Sequence, residues 1–352
     1  MNDTTRRIWL IADPHIGHVS DGRDGGDWLE LAMNDRRANI PADYAINLGD
    51  CSHGYQPAQF RRYVQLRDSA GLPFFDLLGN HDFHGTQTGD YQRIVSPHRY
   101  WSLIDGNVAF FSLPAERGNA AGLLLPPVEA WLREQIRRHD DKNIIIAAHQ
   151  FPYGTVEYST RVSRCMYPRD AVERLLAELP ISLWLGGHIH MSERAPSWSA
   201  CRNGTVFVNV ASASHSYNKN AANSCLLELR GGSADARVLC RDHDRARWLD
   251  DHATAVRFRY PCEFSTTGPV FTFLNRKWYW DELYGAVFVT PYNRLGEFLA
   301  MTVDWQFWHD FVHDSIIGEA FRGLGGILSR PVEQGMVDGA VNGIARLIGG
   351  SS

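Results

Sequence analysis

At 352 residues, with 44% hydrophobic and 21% charged side chains, the chain is long enough for two or three domains and has the composition of a soluble globular protein. Its net charge of −5 gives no bulk attraction to nucleic acid or anionic lipid, so no nucleic-acid binding is expected, while a local positive site could still take a small anionic substrate. Six cysteines without a C-x-x-C pair argue against a zinc ribbon or a thioredoxin-like site. The opening MNDTTRR lacks the apolar core of a secretory signal, and no run of ~18 apolar residues appears, so reduced thiols and a cytoplasmic location without a membrane span are expected.

Short, continuous apolar runs recur along the first three quarters of the chain: Ile8–Ala12, Tyr44–Leu48, Phe74–Leu78, Val108–Leu113, Ile144–Ala148, Ile181–Leu185 and Val206–Val210. Continuous rather than alternating apolar character predicts strands covered on both faces. Helices are predicted between them at Pro57–Ala70, Pro127–Arg138 and Pro168–Leu179, each opening near a proline, whose fixed φ suits a first turn. This is the pattern of a layered α/β domain. Ser224–Leu229 and Ala236–Cys240, flanking Arg-Gly-Gly-Ser-Ala-Asp, read as a closing hairpin. The character changes near residues 265–270. From Asn275 onward it is helical and rich in large aromatics (Trp278, Trp280, Trp305 and Trp308), which divides the chain into a domain over 1–264 and an extension over 265–352.

The chemistry lies where polar residues interrupt the strand ends. The first run leads into Asp13-Pro14-His15, the second into Gly49-Asp50, and the third into Gly79-Asn80-His81-Asp82; a later one ends at His149, and another at Gly186-Gly187-His188-Ile189-His190. Ligands of open α/β sheets bind beyond the carboxyl ends of the strands, so these five ends are expected to converge. Carboxylate, imidazole and amide donors together suit Mn, Fe, Zn or Co better than calcium, and they are too many for one ion. A bridging carboxylate, Asp50, would let two ions sit roughly 3.5–4 Å apart, hold and deprotonate a water, and neutralise phosphate oxygens.

The order D-x-H, GD, GNHD, H, GHxH resembles the calcineurin-like metallophosphoesterase family over residues 7–260, with spacing most similar to the bacterial branch that includes cyclic-nucleotide phosphodiesterases. The resemblance implies an α/β/β/α layered sandwich and a phosphoesterase holding two divalent or trivalent metal ions and acting on a small phosphoester. It further implies that Asp13, His15 and His190 hold the first metal, that Asn80, His149 and His188 hold the second, and that Asp50 bridges them. His81 would protonate the leaving oxygen, with Asp82 orienting its ring. The second block reads GDCSH, which makes His53 a candidate substrate contact, and His84 is another; His149 is followed by Gln150 where many members carry a second histidine. Both histidines, and His18, read better as ordinary loop residues than as phosphate contacts. Specificity is expected from His84–Arg99 and Tyr153–Tyr167.

The tail resembles, over residues 269–349, the C-terminal portion of subunit L of NADH–quinone oxidoreductase, through WYWDELYGAVFVTPYNRLGEFLA and the Gly335–Gly343 segment. The pumping helices are missing, so no oxidoreductase activity is implied. What is implied is a mainly helical extension, read either as a peripheral docking segment for a membrane or a complex-I-like partner, or as a fusion without function. Acidic residues outnumber basic ones there, which disfavours anionic lipid. His309-Asp310-Phe311-Val312-His313 mimics the H-E-x-x-H zinc helix, but Asp replaces the general-base Glu and no third ligand is signalled; a polar helix face accounts for it better.

Overall fold

The computed structural model describes residues 5–116, 121–191, 195, 197–214, 222–264, 312 and 316–349. Two compact units emerge, Met1–Leu274 and Asn275–Ser352, and each is described by itself.

In chain order the first unit comprises β1 (Thr5–Ile11), β2 (Val19–Ser20), β3 (Arg23–Asp24), α1 (Gly25–Asn39), β4 (Tyr44–Asn47), α2 (Pro57–Ser69), β5 (Phe74–Asp76), α3 (Phe83–Gln87), α4 (Asp90–Ile94), β6 (Ser102–Asp105), β7 (Val108–Leu113) and β8 (Gly122–Leu123). It continues with α5 (Pro126–Arg138), β9 (Asn143–Ala148), β10 (Met166–Tyr167), α6 (Arg169–Glu178), β11 (Ile181–Gly186), β12 (Ser199–Arg202), β13 (Thr205–Asn209), β14 (Asn223–Arg230), β15 (Asp235–Asp242) and β16 (Arg247–Arg257). Two six-stranded sheets form the frame, ordered β16-β15-β14-β1-β4-β5 and β12-β13-β11-β9-β7-β6. Within the first, β1, β4 and β5 are parallel, and the predicted hairpin β14–β15 joins β1 antiparallel. Within the second, β13, β11, β9 and β7 are parallel, with antiparallel strands at both edges.

The apolar runs are continuous because each strand has two buried faces. Along β1, Ile8 and Leu10 join the core between the sheets, together with Ile46 of β4 and Ile145 and Leu183 of the second sheet. Trp9 and Ile11 point the other way, onto Leu29 and Met33 of α1 and Phe60 and Tyr63 of α2. On the second sheet, α5 contributes Val128, Leu132 and Ile136, one helical turn apart, and sets Trp131 edge-on against Phe111 of β7. Each such aliphatic side chain contributes about 1.5–3 kcal/mol by leaving water. The result is the layered α/β sandwich expected from the sequence.

The sequence did not predict α1. It is capped by Asp24, whose carboxylate accepts the Gly26 N–H while the Asp27 side chain accepts the Asp24 N–H. Of the second unit, a helix over Gly318–Ser329, a wider π-type stretch over Arg330–Val337 and a helix over Asp338–Gly349 are described, with Phe321, Ile327 and Met336 each at least 70% exposed. Trp278, Trp280, Trp305, Trp308 and the His309/His313 pair lie outside the described residues. Among the described residues, no helix is long and apolar enough to cross a membrane.

Candidate metal centre

The strand-end turns are zipped to one another by their backbones. Asp13 N–H donates to Gly49 O at 3.0 Å, His15 N–H to Asp50 O at 3.0 Å and Ile16 N–H to Cys51 O at 3.1 Å. Five of the residues singled out from sequence (Asp13, His15, Asp50, His188 and His190) take left-handed φ values between 47° and 65°. Such non-glycine conformations cost about 1–3 kcal/mol each and persist where the surroundings over-determine them, commonly at functional sites. Here they turn the side chains inward.

Two donor groups result. Asp13, His15, Asp50 and His190 form the first, and Asp50, His149 and His188 the second; within each group the donor atoms lie within 4.8 Å of one another. In the first, His190 Nε2 lies 2.9 Å from His15 Nε2 and 3.0 Å from Asp13 Oδ1. In the second, His149 Nε2 lies 3.2 Å from Asp50 Oδ2 and 3.1 Å from Asn80 Oδ1. All of these residues are buried, and Asp50 belongs to both groups.

The residues fit a pair of cations. Asp50 Oδ2 is buried without a hydrogen-bond partner of good geometry, although His149 Nε2 and His15 Nε2 face it at 3.2 and 3.5 Å. The rings are oriented from behind, as metal-ligating imidazoles are. His149 Nδ1 donates to Leu48 O at 2.7 Å, which leaves Nε2 as the donor atom, and His188 Nε2 donates to Ser163 O at 3.1 Å, which leaves Nδ1. Asp13 Oδ2 accepts the His188 N–H at 2.9 Å, so only Oδ1 faces the cluster. Burial, helped by neighbouring imidazoles, holds His15 and His188 well below the usual histidine range and thus neutral. Burial opposes protonation of His149 as well, but the Asp50 carboxylate overrides it and raises the group to about 9. Asp50 is driven the other way, well below the carboxylate range, because the charge on His149 outweighs its burial.

His81 stands over this cluster. Its backbone N–H donates to Asp50 Oδ1 at 2.8 Å, its ring meets the His15 ring edge-on at 4.7 Å, and its Nδ1 donates to the His53 carbonyl at 2.7 Å, which leaves Nε2 as the other ring nitrogen. The expectation that Asp82 orients the His81 ring does not hold. Asp82 is fully buried and accepts from Cys51 N, Ser52 N, Ser52 Oγ, Cys51 Sγ and Gly79 N at 2.9–3.2 Å. It locks the Gly49–Ser52 turn to the Gly79–Asp82 turn, and burial together with the Asp50 charge raises its carboxyl to about 6. Cys51 is buried, with its thiol pushed up by that burial, so it is an inert packing group.

Of the two candidate substrate contacts, His53 stacks on His81, while His84 lies on α3 against the Tyr55 ring and Gln87. Other supports left no sequence signal. Ser212 Oγ and Ser214 Oγ both donate to Asp13 O, at 2.8 and 3.0 Å, and Arg164, which ends a short 3-10 helix over Val162–Arg164, donates to His188 O at 2.7 Å. The Tyr153–Tyr167 segment thus reaches the second donor group through Ser163 and Arg164.

The calcineurin-like phosphoesterase profile matches residues 6–192. The chain belongs to the calcineurin-like phosphoesterase family. Members of this family bind two metal ions, and the two donor groups sharing Asp50 are candidate ligand clusters for them. Among solved structures, the fold is similar to a purple acid phosphatase from yellow lupin (Lupinus luteus) seeds, at 12% identity and a TM-score of 0.53, covering 75% of this chain and 57% of that one. The chain therefore spans little more than half the length of the lupin enzyme, and the likeness bears on the fold alone. Weaker matches include a Vps29 variant from Entamoeba histolytica (12% identity, 72% and 99% of the two chains, TM-score 0.38) and the NAD nucleotidase of Haemophilus influenzae (11%, 71% and 54%, 0.39). No curated protein sequence matches this one.

Proposed function

We propose that this protein is a dinuclear metal-dependent hydrolase of a phosphomonoester or phosphodiester, with cyclic-nucleotide-type diesters within its range. The observation that carries the reading is that one carboxylate, Asp50, belongs to both donor groups and also anchors the His81 backbone. Asp13, His15 and His190 would hold one ion, Asn80, His149 and His188 the other, and Asp50 both. Two ions held there supply Lewis-acid charge to the phosphoryl oxygens and make a water acidic enough to attack at neutral pH. The chain's own part is to fix the donors and exclude bulk water around them. His81 then delivers a proton from Nε2 to the departing oxygen while Nδ1 stays on the His53 carbonyl.

The test is hydrolysis of p-nitrophenyl phosphate and its bis-ester by full-length protein, first stripped with chelator and then re-supplied with Mn, Fe, Zn or Co. Activity that disappears with the metal and returns with about two ions per chain is the expected result. Folded protein that binds none of these metals, or binds them and turns over neither ester, would refute the reading.

The exposed Phe321, Ile327 and Met336 favour a second role for the tail, as a peripheral docking segment for a membrane or a protein of the complex-I type. Fractionation of the full chain against a chain ending at Leu274 tests it: equal solubility and equal partitioning would remove the docking role.

A further inference from the structure

A row of three imidazoles, His18, His53 and His81, packs against His15 and belongs to neither of the donor groups that share Asp50. The His18 and His53 rings lie 4.7 Å apart and tilted by 38°; the His53 and His81 rings lie 4.9 Å apart and nearly parallel, at 25°. Beneath them, His15 meets His81 edge-on at 89° and His53 at 64°. His15, His53 and His81 are close enough to form a donor group of their own. Their nitrogens are already engaged, however: His53 Nδ1 faces His15 Nδ1 at 3.4 Å, His81 Nδ1 donates to the His53 carbonyl, and His15 Nε2 faces His190 Nε2 in the first donor group. A ligand role for His53 would thus compete with contacts already made.

What His53 does accomplish follows from the freedom of the His81 side chain. The His81 ring hangs on its Cβ–Cγ bond, a torsion with a broad well, and a single hydrogen bond at Nδ1 leaves it some room to swing about that bond. Proton transfer requires Nε2–H to point at one oxygen, and small errors in aim are expensive in rate. A flat ring lying against the face of His81, itself backed by His18, removes the swing. His53 therefore holds the acid twice, through its carbonyl oxygen and through its ring.

We infer that His53 is a positioning residue for the general acid: its ring, wedged between His18 and His81, sets the plane in which His81 presents Nε2–H to the leaving oxygen. The inference rests on His81 acting as the acid in phosphoester hydrolysis. In the step concerned, the bond from phosphorus to the leaving oxygen breaks, its electron pair stays on that oxygen, and the proton on His81 Nε2 moves to it. His81 is left neutral, still donating from Nδ1.

The experiment uses the full chain loaded with metal, comparing wild type with His53→Ala and His53→Phe on bis(p-nitrophenyl) phosphate and on diphenyl phosphate, whose leaving group needs the proton far more. Expected for His53→Ala is a kcat loss on the phenyl ester at least ~10-fold larger than on the nitrophenyl ester, a fraction of the ~10²–10⁴-fold an acid supplies, with KM and metal content held. His53→Phe, which keeps a flat ring against His81, restores most of the difference. A loss equal on both esters, a rise in KM alone, a loss of metal or no loss at all overturns the inference, and so does a phenylalanine variant no better than alanine. Wild type inactive on both esters would instead bring down the phosphoesterase reading on which it stands.

Discussion

The carboxylate of Asp50 accepts the backbone N–H of His81 at 2.8 Å through Oδ1, while its other oxygen faces His149 Nε2 at 3.2 Å and His15 Nε2 at 3.5 Å. One side chain thus ties the donor groups to the loop carrying the acid, and its own left-handed backbone is part of that geometry. Asp50→Ala should therefore lose metal and turnover together. Asp50→Asn is the sharper variant: its amide oxygen can still accept from His81, but the negative charge shared by the two groups is gone. Metal analysis after dialysis is expected to show both variants short of a full pair of ions. An Asp50→Asn protein that keeps two ions would remove Asp50 as the bridge.

Removing His81 separates acid from ligand. Its contacts to the centre are a backbone donor and a ring edge, with no side-chain bond to either carboxylate, so His81→Ala should keep its metals. Turnover should fall ~10²–10⁴-fold on esters with poor leaving groups and less on nitrophenyl esters. Metal content is read on the same preparation, and a stripped centre would show that His81 is a ligand.

How much of this was legible in the sequence depends on where the determining contacts lie. The strand ends were legible because strands buried on both faces leave one conspicuous feature, the polar residue at which each apolar run stops. Helix α1 was not, since Gly25-Gly26 looks like loop. Yet a Cβ at Gly25 would come within 2.3 Å of the Pro14 and His15 carbonyl oxygens, so the glycine is there to let the helix start against the first ligand turn. The edge strand β16 is polar and carries no apolar run to reveal it. The family resemblance implies that Asp82 orients His81, whereas most of its hydrogen bonds come from about thirty residues away, at Cys51 and Ser52. Ser212 and Ser214 meet Asp13 across about two hundred residues, a contact that no local pattern can announce.

The close packing of Gly187 gives a third test. A Cβ there would lie 2.6 Å from Asp13 Oδ2 and 2.8 Å from Ala12 Cβ. The same oxygen receives the His188 N–H at 2.9 Å, so the intrusion would break a bond that aims both residues. Gly187→Ala should weaken metal binding about 10–100-fold, the range typical when the partners behind metal ligands are disturbed. Competition against a chromophoric chelator measures it, and unchanged affinity would show that the two turns can part without consequence.

The last prediction concerns stability, away from the centre. Asp35 of α1 is buried and receives Arg241 Nε and Nη2 at 2.8 and 2.6 Å and His243 Nδ1 at 2.7 Å, while His243 Nε2 meets Ser224 Oγ at 2.8 Å. Burial alone would raise the Asp35 carboxyl, but these partners and Asn39 hold it far below the usual carboxylate range. Burial keeps His243 below the usual histidine range despite Asp35. Both groups bind protons more readily in the unfolded chain, so both make stability rise with pH. The His243 contribution is complete above about pH 6.5 and lost as pH falls below it; that of Asp35 is complete above its unfolded value of about 3.9 and lost below that. Asp35→Asn leaves Arg241 buried without its carboxylate and should cost about 3–5 kcal/mol at pH 7. Urea denaturation of metal-free wild type and variant, compared from pH 7 down to pH 3, isolates the group from the titrating ligands. The gap between the two should narrow below about pH 4, as Asp35 of the unfolded wild-type chain takes up a proton that the folded chain does not bind. A gap that stays constant across the range would mean that packing, not the charge on Asp35, holds α1 to the sheet.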